Sequence, residues 1–352
     1  MSVRFPDGFL TFWIPMEPMV APNAQSLITE CTTWARKAGL GGGNDTAAAI
    51  YANVGALLVA HCFPTTTGPL QQALADYSAW AFEINDVVVP APESSRTTDT
   101  VHITNRCVRL GRSPHSWGPD ASPLEKALAD ALIRIRAHTS DVHYERFVRP
   151  QEAWCHAMLW ETALRERHTP PGVNEYLAMR GSASGLYATM GIIPAAGDIG
   201  AADWELAAPA VQAAAEAGLL AAVMDNDRYS YLKEVVLGQD KYTLQTALRT
   251  DHPDMSRDDA LSAAVGIRDA MMALYLRLRD QILTCASEQL RRYFACIDRV
   301  IAGNFRFGAT AMRYLDPAAT HTYQRTTTPP SGIKTEEALP YPTIAWWWDH
   351  LT

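Results

Sequence analysis

Three oxygen-bearing side chains recur at intervals of four residues late in the chain. They are Asn226, Ser230 and Glu234, and Lys233 stands beside the last of them. On an α-helix, residues four apart lie above one another on one face. Their amide, hydroxyl and carboxylate oxygens are the hard ligands that Mg²⁺ prefers. The spacing indicates half of a site for a metal–phosphate complex, although an ordinary polar helix face would have the same spacing.

A second group of acidic and amide side chains ends an apolar stretch that reads as a helix over residues 70–89. This group consists of Glu83, Asn85 and Asp86. Carboxylates among apolar neighbours are costly if they are buried without a partner. Two interpretations stay open. Asp86 is a metal ligand at the mouth of a cavity, or these residues cap the helix end before Pro90.

Two further stretches supply cationic side chains and a point where a helix could break. Arg180 precedes the small residues 181–185, Gly-Ser-Ala-Ser-Gly. Such a run within an apolar helix indicates either a kink, which exposes backbone carbonyls, or a close helix crossing. Arg313 and Tyr314 follow late in the chain. Both donate hydrogen bonds, and Arg binds phosphate oxygens in a bidentate fork.

The elements that must position these residues read as helices. Apolar periodicity, with Gly and Pro at the ends, predicts helices over residues 25–38, 44–62, 70–89, 124–135, 145–167, 174–193 and 201–224. The last of these continues into residues 226–234. Two more helices are predicted within 257–303, and a short one at 309–314. Residues 91–120 read as a loop with a short helix. No bounded period-2 alternation predicts a strand. The predicted fold class is all-α, a helical bundle in a single domain.

The predicted domain spans residues 25–316, between two terminal segments. Residues 1–24 are rich in Pro and aromatic side chains and predict an ordered arm that packs on the body. Residues 317–352 are rich in Thr and Pro and predict a mobile tail. The tail ends in Trp346-Trp347-Trp348, for which the sequence suggests no chemical role.

Composition excludes several classes of protein. The 352 residues carry a formal net charge of -8, which argues against a nucleic-acid partner, and 48% are hydrophobic, which is ample for a large core. Six scattered cysteines without a C-x-x-C pair favour a reduced intracellular protein with buried thiols. No secretory signal or membrane-length apolar run is visible, so we expect a cytoplasmic protein with no membrane partner.

The order of these pieces resembles the bacterial class I terpene synthases, from about residue 15 to about residue 316. The resemblance rests on the W-x-F-x-x-N-D helix at residues 80–86, Arg180 ahead of the small residues, the N-D-x-x-S-x-x-K-E motif at 226–234, and Arg313-Tyr314. It implies a helical bundle around a deep apolar cavity, with three Mg²⁺ ions and a prenyl diphosphate at its mouth. Bundles of this kind often pair as homodimers.

The resemblance also assigns roles to individual residues. The metal ligands would be Asn226, Ser230 and Glu234 for one ion, and Asp86 with Asn85 for the others. The diphosphate would be sensed by Arg180 and held by Lys233, Arg313 and Tyr314. The break at Ala183 and Ser184 would carry the backbone carbonyl that assists ionisation. Aromatic faces stabilise cations through their quadrupoles, and the candidates are Phe82, Trp154, Tyr187, Phe305 and Phe307.

The first metal motif departs from the family pattern Asp-Asp-x-x-Asp. It reads Asn85-Asp86-Val87-Val88-Val89, with an amide first and an apolar residue last. A neutral Asn contributes less charge to metal binding than an Asp. Three outcomes stay open: an active enzyme with weakened metal affinity on this side, helped by Glu83; a non-catalytic isoprenoid-binding homologue; or a different carboxylate serving as ligand.

The leading hypothesis is a terpene cyclase that releases a hydrocarbon or an alcohol. A position often held by Trp in the family is Phe307 here, and residues 181–185 are all small. Both features would enlarge the cavity, which favours geranylgeranyl diphosphate (C20) over farnesyl diphosphate (C15). A chain-elongating prenyltransferase is disfavoured because that class normally needs two Asp-rich helices.

Overall fold

The computed structural model describes residues 5–88, 96–167, 170–237, 242–314, 322–333 and 336–352. Helices dominate these residues, and the all-α prediction is confirmed. The described chain forms two compact units, a finer division than the single domain predicted over residues 25–316. We name the units after the helices that carry the candidate metal ligands, the α3 unit and the α10 unit.

The α3 unit comprises Met19–His168 and Ser182–Asp198. Its helices are α1 (Ala24–Ala38), α2 (Asp45–Cys62), α3 (Gly68–Val88), α4 (Arg96–Arg112), α5 (Pro123–Ala137), α6 (Asp141–Arg167) and α8 (Leu186–Ala196), with a 3-10 turn at Leu40–Gly43. A core of small and aromatic side chains joins them, including Trp80, Phe147 and Trp154. The helix starts are set locally: the Asn44 side chain accepts hydrogen bonds from two N–H groups of α2, and Ser122 forms a capping box with Glu125 in α5.

The α10 unit comprises Met1–Pro18, Thr169–Gly181 and Ile199–Thr352. Its elements are β1 (Thr11–Trp13), α7 (Val173–Ala183, whose last two residues belong to the α3 unit), α9 (Asp203–Leu206), α10 (Pro209–Leu237), α11 (Leu244–Asp251), α12 (Arg257–Leu283), α13 (Glu288–Thr310), β2 (Gln324–Thr326), α14 (Pro342–Ala345) and a 3-10 helix at Trp346–His350. Helix α10 packs against α12 and α13, and its buried face is rich in Ala, which lets neighbouring backbones approach closely.

Several local predictions are corrected by the structure. Two strands are present, although none was predicted. β1 and β2 pair in parallel over only three residues, which is too short to leave an alternating pattern in the sequence. Residues 96–112 form the full helix α4 instead of part of a loop. The short helix predicted at 309–314 is absent from the described chain, since α13 ends at Thr310 and the following residues form a turn.

The C-terminal residues also differ from the mobile tail that their composition predicted. Residues 342–350 are helical, and Trp347 is buried and donates a hydrogen bond from its Nε1 to the Glu216 carboxylate at 3.1 Å. The Gln281 amide donates to the carbonyl of His350 at 3.0 Å. Burial of two tryptophan rings and these polar contacts offset the cost of ordering the segment.

Two expectations from composition can be compared with the structure. Five of the six cysteines are buried as free thiols, as predicted, whereas Cys285 is exposed. Within the described residues, no helix combines the length and the apolar character that crossing a membrane requires.

Candidate active site

Helix α10 carries the whole N-D-x-x-S-x-x-K-E motif, residues 226–234, in one unbroken helix. It runs from Pro209 to Leu237, so Asn226 and Ser230 stand one turn apart on one face, as the spacing predicted. Asn226 is partly buried and Ser230 is buried. Lys233 and Glu234 lie on the next turn of the same helix, but their side chains fall outside the described part of the structure.

The predicted diphosphate sensor, Arg180, is held by the residue that follows Asn226. Its Nε and Nη2 atoms donate to Oδ1 of Asp227 at 2.8 and 2.6 Å. The Tyr176 hydroxyl donates to the other carboxylate oxygen. The Asp227 side chain is 5% exposed and that of Arg180 is 19% exposed, so the guanidinium lies at the edge of the buried region. This ion pair fixes the guanidinium beside the motif.

Asn226 links Arg180 to Tyr314 through its side-chain amide. Its Oδ1 accepts a hydrogen bond from Arg180 Nη2 at 3.2 Å, and its Nδ2 donates to the Tyr314 hydroxyl at 3.0 Å. Arg313 is partly exposed beside Tyr314. Three residues predicted from widely separated stretches, Arg180, Asn226 and Tyr314, are therefore joined by direct hydrogen bonds.

The donor chemistry of this face fits a hard divalent cation. Ser230 uses its proton in a long 3.4 Å contact to the Asp227 carbonyl, so its oxygen retains acceptor lone pairs. Amide and hydroxyl oxygens one turn apart are ligands of the type that Mg²⁺ takes. Within the described residues, no group of three or more His, Cys, Asp or Glu side chains could hold a metal ion. On this part of α10 the predicted ligands are the neutral side-chain oxygens of Asn226 and Ser230.

The end of α3 is built differently. Helix α3 runs to Val88, and Asn85 and Asp86 lie within its last turn, both partly buried. Glu83, which the sequence offered as an additional ligand, is buried, and both its oxygens lie 2.9 Å from the Gly41 N–H. Burial raises the pKa of Glu83, and the N–H groups of Gly41 and Gly42 act in the opposite direction.

Glu83 therefore holds a glycine turn, and its help in metal binding stays a prediction. Gly41 has φ of 70° and Gly42 has φ of 64°, a left-handed conformation that glycine adopts at little cost. The carboxylate satisfies the N–H that this turn presents. Val89, the last position of the degenerate motif, lies outside the described residues.

The predicted helix break is confirmed. Helix α7 ends at Ala183 and α8 begins at Leu186, with Gly185 between them at φ of 73°. The Ala183 carbonyl accepts a hydrogen bond from Trp154 Nε1 at 3.1 Å. The Ser184 hydroxyl accepts from the Leu186 N–H at 3.3 Å. The break was predicted to carry a backbone carbonyl that assists ionisation, and in the structure the Ala183 carbonyl is held by an indole.

The aromatic candidates divide between the two units. Trp154 is buried in the α3 unit, where its ring meets Trp80 edge-on with centroids 5.9 Å apart, and Phe82 and Tyr187 in that unit are partly buried. In the α10 unit, Phe305 packs against Phe12 at 5.5 Å and Phe307 meets Tyr314 edge-on at 5.7 Å. The contacts of Phe305 and Phe307 are those of an aromatic core.

Sequence reasoning missed three residues that shape this site. Tyr176 and Asp227 position Arg180, and Arg228 is buried behind the motif. One signal was available, because Asp227 and Arg228 are charged residues in a mostly apolar helix, and buried charges require partners.

The chain is similar in sequence to known proteins. Residues 76–273 match the family model for terpene synthase family 2, C-terminal metal binding. The diterpene cyclase DtcycB of a Streptomyces species is 34% identical over 313 residues, which cover 88% of this chain and 89% of that protein. The 4-epi-cubebol synthase of Streptosporangium roseum, described as cyclizing (2E,6E)-farnesyl diphosphate, is 23% identical over 265 residues, covering 74% and 78%.

The fold has a close counterpart among solved structures. A crystal structure of a variant of SVS_A2, a protein from ancestral sequence reconstruction, superposes with a TM-score of 0.83 at 25% identity, covering 96% of this chain and 98% of that one. The fold and the matched metal-binding region define a helical lyase that acts on prenyl diphosphates. The chain belongs to the bacterial class I terpene synthases.

Proposed function

We propose that this chain is a Mg²⁺-dependent diterpene cyclase that ionises geranylgeranyl diphosphate and closes the resulting carbocation into rings. The hydrogen-bonded series from Arg180 through Asn226 to Tyr314 carries the proposal. It joins a cation that can bind phosphate oxygens, a neutral oxygen that can coordinate Mg²⁺ and a phenol that can donate a hydrogen bond.

Arg180 would bind the diphosphate through its guanidinium fork, which matches phosphate oxygens in two parallel hydrogen bonds. Asp227 now neutralises this guanidinium. A diphosphate carries more negative charge than one carboxylate, so it competes with Asp227 for the same donors. Substrate binding would thereby change the contacts of Asp227 on α10, next to Asn226. Lys233, Arg313 and Tyr314 would donate further hydrogen bonds to its oxygens.

Three Mg²⁺ ions would complete the site, one on Asn226, Ser230 and Glu234, and the others on Asp86 with Asn85. When bound, these ions supply Lewis-acid neutralisation of the leaving group. The bond between C1 of the prenyl chain and the diphosphate oxygen breaks, and the electron pair leaves with the diphosphate. The helix break at Ala183 and Ser184 would direct a backbone carbonyl toward the developing positive charge.

The allylic cation that remains must be kept from water until its own double bonds have attacked it. Aromatic faces stabilise such cations, and Phe82, Trp154 and Tyr187 in the α3 unit are our candidates for this role. Loss of a proton from the final cation gives a hydrocarbon, and capture of water gives an alcohol.

The size of the substrate is the finer part of the proposal. The small residues 181–185 and Phe307 favour a C20 chain, and the similarity to a protein named a diterpene cyclase supports the same choice. The alternative is a sesquiterpene synthase acting on farnesyl diphosphate, which the similarity to the 4-epi-cubebol synthase favours.

Incubation of the purified protein with each diphosphate and Mg²⁺, followed by mass spectrometry of the extracted products, tests the proposal. We expect cyclic C20 products from geranylgeranyl diphosphate. Turnover of the C15 diphosphate alone would replace the diterpene assignment by the sesquiterpene one.

The rival from another class is a non-catalytic isoprenoid-binding homologue. The neutral Asn85 and the separate role of Glu83 in the Gly41 turn are the observations that favour it. Substitution of Asn226 or Glu234 by Ala discriminates between the two, because an enzyme of the proposed type loses most of its product yield. An unchanged yield in either variant would count against the metal ligands proposed on α10.

A further inference from the structure

The side of α10 that faces away from Asn226 and Ser230 carries buried charges. Asp225 is 1% exposed and Arg228 is 2% exposed, and Arg268 of α12 is fully buried next to them. Arg268 Nη2 lies 2.6 Å from Asp225 and its Nη1 lies 2.9 Å from Asp269, whereas Arg228 reaches Asp225 only at 3.4 Å. Buried guanidinium groups need a full set of acceptors, and these carboxylates do not satisfy Arg228.

The remaining acceptors come from residues 8–14, a part of the N-terminal segment 1–24. From here on, the N-terminal arm means residues 8–14 only. Arg228 donates to the backbone carbonyls of Gly8 at 3.0 Å, Phe9 at 3.1 Å and Thr11 at 2.9 Å. Its guanidinium also lies 3.7 Å from the centre of the Phe12 ring, within cation–π distance. The arm thus encloses this side chain on several sides.

Arg268 contacts the same arm two residues after Thr11, where its Nη1 donates to the Trp13 carbonyl at 2.9 Å. The arm is also paired with the C-terminal segment, since β1 and β2 form a parallel ladder and the Ile14 N–H donates to Thr326. Arg325 of β2 donates to the Ile14 carbonyl at 3.0 Å. The arm is therefore held from α10, α12 and the C-terminal segment at once.

Tyr229 places the arm directly against the motif. Its ring stacks on Phe12 at 4.8 Å and meets Tyr323 edge-on at 5.2 Å. A side chain at Gly308 would come within 2.1 Å of this ring, so α13 leaves Tyr229 no space to shift in that direction. Tyr229 stands one residue before Ser230 and three after Asn226 on the same helix.

We propose that the N-terminal arm is a positioning element for the metal face of α10, fastened by Arg228 and Arg268. Its backbone carbonyls accept hydrogen bonds from two buried guanidinium groups, and its Phe12 packs on Tyr229. These contacts fix the register in which Asn226 and Ser230 are presented. Release of the arm lowers the affinity for Mg²⁺ more than it lowers the rate at saturating Mg²⁺. This inference rests on the proposed metal-dependent function.

The test compares full-length variants that loosen the arm from either side. Arg228→Gln removes the guanidinium, Arg228→Lys keeps the charge but lacks the fork, and Phe12→Leu removes the arm's ring while retaining an apolar side chain. Arg291→Gln, at an exposed arginine of α13, is the matched control. Because Phe12→Leu changes no buried charge, it keeps the test decisive if Arg228→Gln does not fold.

The first readout is amide hydrogen exchange over residues 8–14, which does not require activity. We expect slow exchange in the wild type and in the control, and exchange about tenfold faster or more in Arg228→Gln and Phe12→Leu. Fast exchange in the wild type would overturn the inference, because the arm would then not be held by α10.

The second readout is the Mg²⁺ concentration that gives half-maximal turnover. It should rise about fivefold or more in the loosened variants, be partly restored in Arg228→Lys, and leave the rate at saturating Mg²⁺ within about twofold of the wild type. A loss of rate at unchanged Mg²⁺ requirement would assign the arm a purely structural role and overturn the inference.

Exchange over residues 225–231 with Mg²⁺ and inorganic diphosphate separates this inference from the proposed function. Protection that depends on Arg228 supports the arm's role even if no prenyl diphosphate is turned over. The opposite outcome is that the wild type turns over substrate while the loosened variants keep this protection and the wild-type Mg²⁺ requirement. That outcome would overturn the arm's role and leave the proposed function standing.

Discussion

The proposed metal face of α10 and the end of α3 begin from similar sequence evidence and differ in how their polar groups are used. On α10, Asn226 contacts Arg180 and Tyr314, so its partners are themselves predicted site residues. On α3, Glu83 is the most buried acid of its group, and it serves a glycine turn. Acidic residues at helical spacing therefore do not identify a metal site by themselves. The partners of each carboxylate decide which ones are available to a ligand.

The largest effect expected from this comparison is that of Arg180→Ala. Turnover should fall about 10²–10³-fold, the usual consequence of removing one preorganised donor to developing charge. Arg180→Lys should recover part of this loss, because it restores the charge without the bidentate fork. Steady-state turnover is measured beside binding of geranylgeraniol, which lacks the diphosphate. Equal loss of turnover and of alcohol binding would indicate a structural role for Arg180.

An intermediate effect is expected at the helix break. Trp154→Phe keeps an aromatic face but removes the N–H that holds the Ala183 carbonyl. We expect turnover to fall about tenfold, equivalent to ~1.4 kcal/mol, with no change in the Mg²⁺ requirement. The control is Trp117→Phe at an exposed tryptophan of the same unit. Wild-type turnover in Trp154→Phe would mean that the ring alone matters.

The smallest effect on activity is expected at Glu83. Glu83→Gln should lower the free energy of unfolding by about 1–3 kcal/mol, because the Gly41 N–H loses a charged acceptor in a buried site. The Mg²⁺ requirement should stay unchanged. Denaturant unfolding and a Mg²⁺ titration measure the two quantities, with Glu30→Gln at an exposed position of α1 as control. A raised Mg²⁺ requirement in Glu83→Gln alone would make Glu83 a metal ligand after all.

The sequence predicted part of the side-chain network of the site but missed Tyr176 and Asp227, which position Arg180. Arg180, Asn226 and Tyr314 carry distinctive chemistry at recognisable positions, and the structure joins them. Contacts to backbone atoms escaped prediction. The Arg228 contacts reach carbonyls more than 200 residues away, and a carbonyl leaves no trace in residue identity. The same reason applies to Trp154 with Ala183 and to Glu83 with Gly41.

The fold shows the same limit. Helices with an apolar stripe and clear caps were predicted, because periodicity and capping are local properties. The β1–β2 ladder, the buried Trp347 and the division into two units depend on long-range pairing. The composition of a Thr- and Pro-rich segment predicts mobility, because it does not show the long-range contact between Trp347 and Glu216.

The central claim is that the α10 face carries more of the metal binding than the end of α3. Titration of Mg²⁺ against turnover in Asn226→Ala and Asn85→Ala tests it most directly. We predict that the half-saturating Mg²⁺ concentration rises about tenfold or more in Asn226→Ala, a loss of ~1.4 kcal/mol, and distinctly less in Asn85→Ala. An equal rise in both variants, or a larger rise in Asn85→Ala, would contradict the claim.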